Sequence, residues 1–352
     1  MKTESYITES LRNVINQAYS LKDPSKYVIF SDLHLGNGGF KDDFKKNGDL
    51  FTKILREYYL KKDYTLILNG DIEELQKFKL NEIMNTWTEI YSLLDRFAEK
   101  NKLYKTVGNH DYSLNDHLST YPYPIYDSLK INSHDQDIYI FHGHQASHFF
   151  SRYNHISGFL LRYMAKPLGI KNLSISHNSR KKFLTEKRIY EFASKNKIVT
   201  IIGHTHRPLF ESLSKTDYLR FSIEKLCRNY PRFNQEGKQK VEKLIHEYKE
   251  ELKKTVSKKN PTTLANNLYT GKLVIPCLFN SGCAIGKRGI TCLEIRRRSI
   301  ALIYWFPLDR VKSYHFDEIH EFKKLEGIPY CRITIKKDKM KYIATRIKLL
   351  TW

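Results

Sequence analysis

Five short apolar runs in this chain each end in a polar cluster of the same kind, and that recurrence restricts the fold more than any other feature. YVIF precedes Asp32 and His34, TLILN precedes Gly70 and Asp71, and LYKTV precedes Gly108, Asn109, His110 and Asp111. IYIF precedes His142, Gly143 and His144, and KIVTII precedes Gly203, His204, Thr205 and His206. Short apolar runs bounded by turn residues have the character of buried strands. In extended chain, residues i and i+2 face the same side, so Asp32 and His34 converge on one spot just past their strand. Glycines at 36, 38 and 39 let the backbone fold back around that spot.

Between these runs, DLFTKILREYYLKK and EIMNTWTEIYSLLDRFAEKN carry helical spacing, as do residues 5–20. Strands alternating with helices predict an α/β sheet whose ligands lie in the crevice beyond the strand ends. Two stretches break the rhythm and are expected as helical insertions, at 145–198 and at 212–268, the second strongly charged. The organisation expected is an N-terminal helix over 1–23 and one catalytic domain over 24–350 that contains both insertions.

A chain of 352 residues with 41% hydrophobic and 13% aromatic residues has enough apolar material for a sizeable core. The formal charge of +22 implies attraction to phosphates, nucleic acid or an anionic membrane surface, without choosing among them. The five cysteines are odd in number and form no CxxC pair, which fits a reducing compartment. The N-terminal stretch lacks the apolar core of a signal peptide, and no apolar run approaches membrane-spanning length. The expected location is therefore cytoplasmic, with attachment to the inner face of the membrane as an option.

An Asp-x-His pair alone is as compatible with a solvated turn as with a ligand pair; five such ends together are not. Carboxylates, imidazoles and one amide are the ligand types of a borderline divalent transition metal, and the lack of thiolates argues against a structural zinc site. Two neighbouring cations need a shared anion to offset their repulsion, and an aspartate supplies one. An amide adds an oxygen ligand without adding charge. Water between two such ions would be acidified toward a pKa of about 7, giving a nucleophile at neutral pH.

In order and spacing, D-x-H, G-D, G-N-H-D, H-G-H and G-H-T-H resemble the calcineurin-like metallophosphoesterase superfamily over about residues 24–211 and again 270–306. The resemblance implies an α/β (α+β) fold, a two-layer mixed β-sandwich flanked by helices, with two metal ions at the strand C-terminal ends. Asp32, His34 and His206 would hold one ion, Asn109, His142 and His204 the other, and Asp71 would bridge them. His144 is two residues from His142 on the same face and stays an alternative ligand. Manganese is the first expectation for both ions, with iron, zinc, nickel or cobalt as alternatives. His110 is placed to protonate the leaving alkoxide, with Asp111 as its orienting partner.

The nearest-looking group is that of the UDP-2,3-diacylglucosamine diphosphatases, which share the SDLHLG opening and a helical lid. In that comparison Arg152, Asn178, Arg180 and Lys181 are lid groups able to meet a diphosphate. Lys287 and Arg288, in the GCAIGKRG turn, are further candidates for phosphate contact. His110 and His144 depart from that group's Arg and Asp, and GDIEELQ departs from its continuation. The expected function is thus hydrolysis of a phosphate ester or diphosphate, on a small-molecule or lipid-linked substrate. A nuclease on the same scaffold is a less favoured alternative, and a scaffold without catalysis conflicts with the intact ligand set.

Overall fold

A computed structural model describes residues 2–21, 26–117, 119–132, 136–147, 179–213, 215–257, 274–296, 298–313 and 322–351. Each polar-ended run forms a strand: β2 (Lys26–Phe30), β3 (Thr65–Asn69), β4 (Leu103–Thr106), β7 (Ile138–Ile140) and β8 (Val199–Ile202), following a short β1 (Tyr19–Leu21). The larger sheet pairs β2, β3, β4 and β5 (Ile125–Tyr126) in parallel. It continues antiparallel from β2 through β10 (Ile290–Arg296) and β11 (Ser299–Pro307) to β13 (Tyr330–Lys339) and β12 (Phe322–Lys324). The smaller sheet runs β1, β6 (Leu129–Ile131), β7, β8 and β9 (Leu278–Asn280). The expected two-layer mixed sandwich is what forms.

The two-residue period of a strand explains why these runs are apolar throughout. Tyr27 and Ile29 face the smaller sheet and pack with Leu129, Ile140, Ile201 and Leu278. Val28 and Phe30 face the other way, into Phe51, Ile54, Tyr59, Ile90 and Phe97. Both faces of the parallel strands are thereby buried, as crossover helices require. Covering the outer face are α2 (Gly48–Ile54), continued by a π-helical stretch over Leu55–Leu60, then α3 (Leu80–Thr86) and α4 (Thr88–Glu99). The sandwich core is closed by Leu11 of α1 (Lys2–Asn16) and Ile189 of α5 (Ser179–Lys195), with Ile343 of α8 (Met340–Leu350). The charged insertion contains α6 (Lys215–Asn229) and α7 (Gln235–Ser257), which bury Leu219, Val241 and Leu244.

Three details differ from the sequence reading. The N-terminal helix stops at Asn16, and Tyr19–Leu21 is the parallel edge partner of β6. The stretch over 82–101 is two helices, broken at Trp87 (φ −107°, ψ 36°). Trp87 donates its indole N–H to the Gly36 carbonyl at 2.9 Å and lies over Gly48, where a β-carbon would overlap its ring. That tertiary contact outweighs the local helical periodicity. Finally, β12 and β13 extend the larger sheet beyond residue 306, and α8 packs against the sandwich core. Among the described residues no helix is long and apolar enough to cross a membrane.

Under the outer helices Glu294 of β10 is 1% exposed. It accepts hydrogen bonds from Arg332 at 2.8 and 3.2 Å, Tyr59 at 3.1 Å and Tyr64 at 3.0 Å. Removing one member leaves a buried guanidinium uncompensated, which costs about 3–5 kcal/mol. Glu294→Ala is therefore expected to lower the unfolding free energy in urea by about that amount. Divalent-ion binding measured on the folded fraction should stay unchanged.

Candidate metal centre

The five strand ends meet where the two sheets abut, and the backbone itself stitches them together. Asp32 N–H donates to Gly70 O at 3.1 Å, His34 N–H to Asp71 O at 3.0 Å, and Gly203 N–H to His142 O at 3.0 Å. Asp32 also receives the His204 N–H on both carboxylate oxygens, at 3.1 and 3.0 Å. Asp32, His34, Asp71, His204 and His206 all have φ between 52° and 64°. Left-handed backbone is costly for residues with a β-carbon and concentrates at functional sites. Here it turns each side chain inward immediately after its strand.

Three groups of side chains come close enough to hold a cation, each with ligand atoms within 4.8 Å of one another: Asp32, His34 and His206; Asp71, His142 and His204; and His34, Asp71 and His110. His206 Nε2 lies 3.1 Å from Asp32 Oδ1 and 3.1 Å from His34 Nε2. His142 Nε2 lies 3.0 Å from Asp71 Oδ2, and the same oxygen is 4.0 Å from His34 Nε2. Asp71 therefore stands between the first two groups. Asn109 Oδ1 and His204 Nε2 are buried without a hydrogen-bond partner among the described residues. Buried polar atoms are rarely left unpaired, and a divalent ion at this point would satisfy both. The donor set fits such an ion.

Tautomers are held from behind, as metal-binding histidines require. His142 Nδ1 donates to Asn69 O at 2.9 Å, which directs Nε2 toward Asp71. Glu74, 2% exposed, takes His34 Nδ1 on one oxygen at 3.1 Å and His110 Nδ1 on the other at 2.8 Å. Burial opposes ionisation of Glu74, but the His110 and His34 imidazoles hold it well below the usual carboxylate range. His144 is buried 5.6 Å from His142 (ring centroids) and belongs to none of the three groups. Burial and the neighbouring His142 and His204 rings hold it neutral.

Asp111 does not orient His110. Its carboxylate instead accepts the backbone N–H groups of Gly108 at 2.6 Å and Ile72 at 2.8 Å, and pairs with Lys105 at 3.1 Å. It binds the loop after β4 to the loop after β3, and Glu74 takes the part expected of it. Sequence reasoning missed Glu74 because GDIEELQ offers two adjacent glutamates, and only the turn after Asp71 decides which faces the imidazoles. Of the substrate candidates, Arg152 and Asn178 lie outside the described residues. Arg180 and Lys181 lie in the first turn of α5, and Lys181 is exposed, as are Lys287 and Arg288. Lys182, the next residue of α5, is partly buried. Burial and then the Arg207 guanidinium lower its pKa, while Cys283 and Asp32 raise it. One turn on, fully buried Glu186 accepts the Thr205 hydroxyl at 2.7 Å and pairs with Arg207, fastening α5 to the loop of His204 and His206.

The calcineurin-like phosphoesterase family matches residues 25–219, more than half of the chain. The chain belongs to that family. As a calcineurin-like phosphoesterase it is a metal-dependent hydrolase of phosphoric ester bonds. Among solved structures the chain is similar to YfcE, a phosphoesterase from E. coli, at 14% identity over 78% of this chain and 91% of that one, with a TM-score of 0.34. No curated protein matches the sequence.

Two outcomes test this geometry. A β-carbon on Gly108 would overlap the Asp71 carboxylate, so Gly108→Ala should lose at least one ion per chain by elemental analysis. Without a cation, burial pushes the His142 pKa down, but Asp71 and Asp32 bring it up to about 10. His142 is then protonated at neutral pH and must lose that proton to ligate. Divalent-ion affinity should accordingly rise by up to about tenfold per pH unit between pH 6 and 9, with proton release seen in buffer-dependent calorimetry.

Proposed function

We propose that this phosphoesterase is dinuclear and cleaves a phosphate ester or diphosphate. The observation that carries the reading is the position of Asp71, whose Oδ2 is 3.0 Å from His142 and 4.0 Å from His34, between the two ligand groups. Asp32, His34 and His206 would hold one ion, Asn109, His142 and His204 the other, with Asp71 shared. Oxygen and imidazole donors suit manganese first, with iron, zinc, nickel and cobalt compatible. Bound there, the pair supplies Lewis acidity that acidifies water and offsets charge on the phosphoryl oxygens.

His110 has the role of general acid. Its Nδ1 is held by Glu74, which leaves Nε2 as the atom that gives its proton to the leaving oxygen. Without a cation, burial lowers the His110 pKa, but Asp71 and Glu74 outweigh it and bring it up to about 9; with Asp71 engaged by ions, Glu74 is the carboxylate left to hold the proton on His110. At 15% side-chain exposure it is more open than His34 and His142, as a group that meets substrate must be. The net charge of +22 would favour a substrate that carries further negative charge. A diphosphate or a lipid-linked phosphate satisfies that requirement, and an anionic membrane surface is a compatible partner. The five free cysteines support a reducing, cytoplasmic setting.

Metal analysis combined with a panel of p-nitrophenyl phosphate, bis-p-nitrophenyl phosphate, a nucleoside-diphosphate-sugar lipid and single-stranded DNA tests the reading. Asp71→Ala should lose ions and activity together; full retention of both would sink the dinuclear mechanism. His110→Ala should keep its ions and turn over roughly 100-fold or more slowly. The loss should shrink for p-nitrophenyl esters, whose leaving group needs no proton. Glu74→Gln lowers the His110 pKa, so the alkaline limb of the kcat profile should move to lower pH.

A further inference from the structure

Behind the strand ends lies a second set of buried charges, one that supplies no ligand. Lys105 of β4 is fully buried, and its ammonium contacts the Glu73 carboxylate and, at 3.1 Å, Asp111 Oδ2. Glu73, also fully buried, accepts the hydroxyls of Tyr91 at 3.0 Å and Tyr121 at 2.7 Å. The ammonium stands 5.4 Å from the centre of the Tyr121 ring. A lysine charge is almost never fully buried unless it is paired, and this one has two carboxylates.

The positions of those carboxylates in the chain give the ammonium its leverage. Glu73 is two residues after Asp71, and Asp111 is two residues after Asn109. Asp111 also accepts the N–H of Ile72, next to Asp71, and of Gly108, next to Asn109. Glu73 forms a bridge with Leu35, the neighbour of His34. The remaining ligands have other supports: His34 is held by Glu74, His142 by the Asn69 carbonyl, and the His204–His206 loop by Asp32 and Glu186.

We propose that Lys105 is the positioning residue of the second metal pocket, because its ammonium joins the loop carrying Asp71 to the loop carrying Asn109. The spacing of carboxylate and amide, and so the affinity of the pocket they share with His142 and His204, depends on it. This rests on the dinuclear reading above. Positioning and simple electrostatics predict opposite signs for loss of the lysine. Removing a positive charge near two cation sites favours both ions, whereas releasing the loops weakens the second ion more than the first, because Asp71 is shared but Asn109 serves the second alone.

The experiment is a titration of metal-free protein with Mn2+, following free ion and the spin-coupled signal of the pair by electron paramagnetic resonance. Wild type should take up two ions; uptake of fewer would refute the dinuclear reading and not the role of Lys105. In Lys105→Met the second ion should bind at least about tenfold more weakly, the usual scale for loss of an outer support, with a distinctly smaller change for the first. Lys105→Arg should recover part of that affinity. Asp111→Asn has the same shape but turns an N–H donor toward Lys105 or a backbone N–H. It should weaken the second ion by a similar factor, and it decides the matter if Lys105→Met does not fold. Two ions bound at wild-type or tighter affinity in a folded variant, or both weakened in parallel, would overturn the proposal.

Discussion

Repulsion among buried like charges is the constraint that the rest of this structure answers. Asp32, Asp71, Glu73, Glu74 and Asp111 are all buried around one end of the sandwich. Unpaired ionised carboxylates in such a place would not survive as ions. The back row is compensated from within the chain by Lys105, by tyrosine hydroxyls and by backbone N–H groups. For the front row, imidazoles serve in the absence of a cation, which is why Asp71 and Asp32 draw a proton onto His142. A divalent ion replaces those protons with a stronger counter-charge. The electrostatics that make the centre expensive to fold without compensation thus make it a good receptor for cations.

Meeting this constraint requires residues from five strands to reach one point, and the sandwich supplies that convergence. The strands of both sheets end beside each other, and cross-loop hydrogen bonds from Asp32, His34 and Gly203 fix the loops in register. Left-handed backbone at five of the candidate ligand positions is tolerated because those bonds over-determine it. The outer helices and the Glu294–Arg332 pair lie on the far face of the larger sheet, so they support the strands without entering the chemistry.

The strands and most of the site were legible because both rest on short-range pattern. An apolar run followed by Asp-x-His or Gly-His-x-His states its own geometry, since a strand must point i and i+2 together. Other features depended on partners distant in sequence. The choice of Glu74 over Asp111 to hold His110 and the break at Trp87 against Gly36 are both decided across loops. The end of the N-terminal helix was misread because Tyr19 to Leu21 become a strand only when β6 is there to pair with them.

The strand positions and the order of the candidate ligand residues were readable from the chain alone, because period-two burial and metal-ligand chemistry are local properties. Tertiary structure alone decided which side chains stand behind the ligands. Lys105 reads as one more lysine in a strand, one of 60 basic residues. Only when β4 is packed between the loops after β3 and β4 does its ammonium meet two carboxylates and no water. A charge must then be paired, and the pairing ties the loops together.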